Sequence, residues 1–138
     1  MNLSSFRMMI AAFFLIMSAS SWAQTPSEDE APHAPPISIV TLLAEPVSKI
    51  PQRVQVAGFL VLEFEGQALY FHKEDYQQGL TSNAIRIALT PQQETQFKDF
   101  SGSYVLVEAS FKKVPNSEDI FTGSLFNVRR IVKLLPRR

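Results

Sequence analysis

Residues 53–76 read RVQVAGFLVLEFEGQALYFHKEDY, and the fold turns on how this stretch divides. Val54, Val56, Leu60, Leu62 and Phe64 alternate with Gln55, Ala57, Phe59, Val61 and Glu63, while Gly58 takes the slot between Val56 and Leu60. Such sustained period-2 alternation predicts one long strand over residues 53–64. A glycine inside a strand commonly marks a bulge or a barrel corner, where a side chain would obstruct the bend. Glu65-Gly66 supplies turn chemistry, and residues 68–73 return as a second strand with Leu69 and Phe71 opposite Tyr70 and His72. A hairpin is the expected result.

On the C-terminal side, residues 74–81 (EDYQQGLT) are polar, contain Gly79 and predict a connection. Residues 83–89 (NAIRIAL) predict a third strand that buries Ile85, Ile87 and Leu89 and turns Arg86 outward. Thr90 as N-cap, Pro91 at the first helical position and Gln93 completing a capping box predict a helix, with Gly102 placed to stop it. Phe97 and Phe100 share one face of that helix. Residues 104–112 form the fourth expected strand, 114–123 (VPNSEDIFTG) a loop, and 124–135 the fifth strand. On the N-terminal side, residues 37–46 (ISIVTLLAEP) predict a short helix with Ser38 as N-cap and Pro46 as stop. The β-branched Ile39, Val40 and Thr41 make a strand the competing reading.

The order is strand, strand, strand, helix, strand, strand, with a long first strand bent at glycine and a short helix before it. This is the order of an all-β, five-stranded OB-fold-like barrel, in which the helix phenylalanines would plug an open end. A small antiparallel sandwich is the alternative, and it leaves the capped helix without a role.

The remaining N-terminal residues read as address and tether. Arg7, the apolar run MMIAAFFLIM at 8–17 and the small residues of Ser21-Trp22-Ala23 form the pattern of a secretory signal peptide over residues 1–23. The run is shorter than the roughly 20 apolar residues that span a bilayer, so no transmembrane segment is expected after cleavage. Residues 24–36 (QTPSEDEAPHAPP) are Pro-rich and acidic and read as a flexible linker that includes His33; the barrel domain is expected over 37–138. The chain has no cysteine, so an exported domain must be held by its core alone. These features predict export, with the periplasm as the destination in a two-membrane bacterium.

The charge is bland. The chain carries 13 basic and 13 acidic residues, with Arg7 in the leader and Glu28, Asp29 and Glu30 in the linker. Without a basic footprint there is little to gain from phosphate counterion release, which argues against nucleic acid as a partner.

The run VQVAGFLVLEFEGQALYFHKEDYQQGLTSNAI, preceded by ISIVTLLAEP, resembles a group of small exported bacterial proteins with OB-like barrels. That group shows a similar apolar helix, a G-F/Y-L-x-x-E-F-E-G-x-A-L/I-Y motif and an acidic E-D-Y/A cluster. The resemblance covers residues 37–87. It implies the fold and the export; the group is uncharacterised and brings no activity or site residues. The chain is more weakly similar to the tRNA-anticodon-binding type of OB domain, against which its charge and expected address speak.

Three places hold candidate chemistry. His72, Lys73, Glu74, Asp75 and Tyr76 are the densest polar cluster, and a histidine near carboxylates can ligate a metal or carry a proton. Strand alternation separates these side chains, so a solvated strand end is the plainer reading. Glu63 and Glu65 flank the hairpin turn, and paired carboxylates do acid–base work only if they converge across a cleft. No nucleophile, phosphate loop or metal-ligand spacing appears, so no catalytic residue, metal or cofactor is assigned and an enzyme is not expected. The third place is the face that OB-folds use for ligands, on the second and third strands beside the first hairpin loop and the fourth-to-fifth connection. Here that face should carry Phe59, Tyr70, His72, Arg86 and Phe121, bordered by Gln67 and Asp119. Aromatics beside an arginine can stack a sugar or a base ring. Two functions follow as expectations: an envelope protein-interaction module docking a partner on a strand edge, or a small-ligand or glycan-binding barrel using that face.

Overall fold

The computed structural model describes residues 33–64, 66–115 and 119–136. The expected leader, linker residues 24–32, Glu65 and residues 116–118 lie outside them. None of the helices among the described residues is long and apolar enough to cross a membrane.

Five strands are present: β1 (Arg53–Val61), β2 (Ala68–Tyr70), β3 (Ala84–Ile87), β4 (Ser103–Lys113) and β5 (Gly123–Lys133). They close into a barrel in the order β1-β2-β3-β5-β4, with β4 returning to β1. Every pairing is antiparallel except β3 with β5. This is the expected OB-fold-like barrel. Its interior is filled by Val54, Val56 and Leu60 of β1, Leu69 of β2, Ile85 and Ile87 of β3, Val105 and Val107 of β4, and Leu125 of β5, all fully buried.

Two helices complete that core. In α1 (Ile39–Ala44), Ser38 Oγ accepts the Thr41 N–H at 3.0 Å, and Ile39 and Leu42 are buried. In α3 (Pro91–Phe97) the Thr90/Gln93 capping box forms in both directions, at 3.3 and 3.1 Å. The chain then tightens into a 3₁₀ turn, Lys98–Phe100, and ends at Gly102, whose φ of 76° favours glycine. Phe97 and Phe100, with ring centroids 5.6 Å apart, pack against the barrel core.

The strand ends differ from the alternation, and at β1 and β2 this is because a side chain intercepts the backbone; β3 covers Ala84–Ile87 rather than 83–89. β1 stops at Val61 rather than 64, where the Leu62 N–H turns to Ser101 Oγ at 2.9 Å. β2 stops at Tyr70 rather than 73, because the His72 N–H is taken by Asp75 Oδ2 at 2.9 Å. That bond opens α2 (Lys73–Gln77) in a stretch expected to be an irregular connection. β5 bulges between its two ladders: Glu108 pairs with Arg130 and Ser110 with Phe126. Asn127 enters the left-handed region there at φ 48°. The last residues of the expected linker are also engaged. Pro35 O accepts the Gln55 N–H and Gln55 O accepts the Ile37 N–H, at 3.0 and 2.9 Å, so residues 35–37 line the part of β1 that β2 does not reach.

Gly58 owes its place to crowding more than to bending. A Cβ on it would stand 2.6 Å from Tyr70 O and 2.7 Å from Leu69 Cγ, with Ile39 of α1 at 3.1 Å. β2 and α1 therefore close over β1 only because the side chain is missing. Gly58→Ala should destabilise the fold by about 2 kcal/mol in urea denaturation. Gly66→Ala, with nothing within 4 Å of the new methyl, should stay within about 0.5 kcal/mol of the parent.

Candidate functional site

Successive residues of a strand point to opposite faces, so the residues between the core positions line the outside of β1, β2 and β3. The register sets them in two rows: Phe59, Tyr70 and Ala84 in one, Val61, Ala68 and Arg86 in the other. Ala68 and Ala84 are small and leave a depression between the aromatic rings and the guanidinium.

That depression is occupied by the chain itself. Phe59, Val61, Ala68, Tyr70, Ala84 and Phe121 form a second buried apolar cluster, with Tyr76 of α2 packed against it. Tyr76 meets Tyr70 edge-on at 5.4 Å between ring centroids, and Tyr104 of β4 meets Phe59 in the same manner at 5.4 Å. Phe121, from the connection between β4 and β5, is 1% exposed. Arg86 clasps the same connection: its Nε and Nη2 donate to Asp119 Oδ2 and Oδ1 at 2.5 and 2.7 Å. Asp119 Oδ1 also accepts the Phe121 N–H at 3.3 Å, and the Arg86 guanidinium lies 5.2 Å from the Phe121 ring centroid. One carboxylate thus fixes the arginine and orients the backbone that carries the buried ring.

The sequence-expected site residues divide accordingly. Phe59, Tyr70, Arg86 and Phe121 come together, bordered by Asp119. His72 does not join them, because β2 ends before it; its exposed ring lies against Phe71, 4.2 Å between centroids. Gln67 borders a shallow recess of about 220 Å³ with Phe64, Arg86 and Leu89, and its carbonyl accepts the Ile87 N–H at 3.1 Å. The cover over the face comes from α2 and the β4–β5 connection.

The charged run at 72–76 has a structural occupation. Asp75 is buried, with Oδ2 on the His72 N–H and Oδ1 on Asn83 Nδ2 at 2.8 Å, so both oxygens hold α2 and the following turn in place. Among the described residues, no group of three or more His, Cys, Asp and Glu side chains is gathered to hold a metal ion. Glu63 accepts a short hydrogen bond from the Tyr76 hydroxyl, which raises the Tyr76 pKa. Burial, reinforced by the Glu63 charge, raises that of Tyr70. Both phenols therefore stay protonated at neutral pH, and Glu63 accepts the hydrogen bond of Tyr76. Its partner in the expected carboxylate pair, Glu65, lies outside the described residues.

Sequence reasoning missed the roles of Asp75, Tyr76 and Tyr104. A signal for the first was present in the spacing of His72 and Asp75, three residues apart as in a capping box. It also passed over Glu108, a buried carboxylate on the outer face of β4. Gln55 Nε2, His33 Nδ1 and Arg129 Nη1 stand 3.4, 3.5 and 3.9 Å from its oxygens. This cluster joins the residues before α1 to the barrel wall, with the Glu108 carboxylate buried and the His33 ring half exposed.

Comparison of the chain with protein-family models, with curated proteins and with solved structures gave no match.

The Arg86 hydrogen bonds hold the Asp119 carboxyl below its ordinary value, against a smaller opposing effect of burial, and the Arg86 pKa is raised in turn. A depressed carboxyl pKa stabilises the fold above the unfolded value, 3.8, and that stability is lost as pH falls through the lower folded value. Asp119→Asn should lower the thermal midpoint at neutral pH by about 5 °C. The gap between variant and parent should close below pH 3.8, as followed by circular dichroism melts across pH.

Proposed function

We propose that the chain is a non-enzymatic, exported envelope module that docks a protein partner through the loops around its filled strand face. The observation that carries this reading is where the apolar side chains lie. The rings that an OB-fold commonly offers to a ligand are buried under the chain's own residues. Large apolar side chains instead stand in solvent on the three connections bordering that face. Phe64 between β1 and β2 is fully exposed, Leu80 follows α2, and Ile120 lies between β4 and β5.

These connections are neighbours. Phe64 shares a recess with Arg86, and Ile120 shares another, of about 380 Å³, with Thr81, Ser82 and Asp119. The Arg86–Asp119 clasp joins the two. Scattered exposed apolar residues need no explanation, but Phe64 and Ile120 border two recesses that one ion pair joins, which is the pattern of an interaction site. The near-neutral charge supports a protein surface over a phosphate backbone as its counterpart. The export half of the reading is supported by the leader pattern in residues 1–23.

Two measurements test it. Expression in a two-membrane bacterium, followed by osmotic-shock fractionation and intact mass, should give a periplasmic species beginning at Gln24; an uncleaved cytoplasmic chain removes the export half. Affinity capture from envelope extract should retain a partner that Phe64→Ser together with Ile120→Ser releases at least tenfold, at an unchanged melting temperature. A glycan captured in a protein-free fraction instead would replace this reading with the small-ligand one.

A further inference from the structure

We propose that residues 119–121, in the β4–β5 connection, are a built-in ligand mimic, and that a partner docks by inserting its own acidic–x–aromatic peptide in place of Asp119-Ile120-Phe121. This deepens the docking reading and rests on it.

The connection sits on the barrel as a bound peptide would. Asp119 and Phe121 point into the face, with side-chain exposure of 14% for the aspartate and 1% for the phenylalanine, while Ile120 between them is 67% exposed. The segment bends through residues 120–122 and is closed by the Phe121 N–H donating to Asp119 Oδ1, so a short turn aims both anchors at the receiving surface. Among the described residues its anchors are those two side chains, together with a backbone bond at its base, Val114 N–H to Thr122 O at 2.9 Å.

The receiving surface is selective in both places. A guanidinium held through two parallel N–H···O bonds asks for a planar carboxylate. The depression over Ala68 and Ala84, walled by Phe59, Tyr70 and Tyr76, asks for a flat ring two residues further on. Arg86 remains 37% exposed, so a carboxylate from solution can approach it while Asp119 is still engaged. Exchange leaves no charge stranded, since a displaced Asp119 passes into water as the incoming carboxylate takes its place. The cost appears in affinity: a site occupied by its own loop binds more weakly in proportion to the fraction of time it is vacant.

The test uses a fluorescein-labelled peptide of the chain's own residues 117–122, SEDIFT, read by anisotropy against the full chain. Removing the mimic with Asp119→Ala and Phe121→Ala should tighten peptide binding on the order of tenfold or more over the parent. Adding Arg86→Ala, or replacing the aspartate of the peptide by alanine, should abolish it. Equal affinity for parent and double variant, no saturable binding to either, or binding indifferent to Arg86 overturns the proposal. So does Arg86-dependent binding of adenosine monophosphate with none of the peptide, which would assign the face to a ring-bearing anion.

Should the double variant lose the parent's circular dichroism, the parent itself is titrated with excess peptide. A saturating shift of the Arg86 Nε–H resonance in NMR supports exchange, and an unmoved resonance overturns it. Failure here leaves partner capture through Phe64 and Ile120 standing, whereas loss of that capture leaves a positive peptide titration in place.

Discussion

The barrel closes on a short seam. β3 and β5 run parallel over two register pairs, Arg86 with Ser124 and Ile87 with Leu125, and the Ala88 N–H reaches Leu125 O at 2.8 Å just beyond them. Without that contact the five strands are an open sheet with two unpaired edges. The seam also decides what faces where. Ile85 and Ile87 point into the core because Arg86 between them points out, and a slip of one residue would reverse all three. The register that closes the barrel is therefore the register that sets a guanidinium beside the β4–β5 connection.

Where β1, β2 and β3 meet, at residues 58–61, 68–70 and 84–85, the wall is buried on both of its faces, by the barrel interior within and by Phe121 and α2 without. This explains the composition of residues 58–61. A strand covered on one side alternates, whereas one covered on both reads as a continuous apolar run. Gly58, Phe59, Leu60 and Val61 are all buried. The same double burial accounts for the close quarters at Gly58, where β2 and α1 press onto β1.

Much of the architecture was legible because it is written in local chemistry. The Thr90-Pro91-Gln93 start, the Gly102 stop and the Ser38 cap each act within one turn of chain, and each stands where the spacing places it. The period-2 strands were legible for a similar reason. The end of β1 was not, because it depends on a partner far along the chain, Ser101 for Leu62. The helix at 73–77 was hidden by its length: five residues carry too little periodicity to separate from a polar loop. The site was half legible. Phe59, Tyr70, Arg86 and Phe121 could be assigned to one face from alternation and strand order. That a conformation of residues 119–121 fills this face is a property of the loop's path, which no periodicity records.

The pairing of residues 35–37 with β1 bears on distance. A segment that ends at residue 36 has more slack than one that ends at His33, where Ala34 is already buried and the imidazole lies beside Glu108. Between the expected cleavage position and His33 only the nine residues 24–32 remain, whose fully extended span is about 30 Å. Residues 33–36 thereby belong to the barrel wall rather than to the tether.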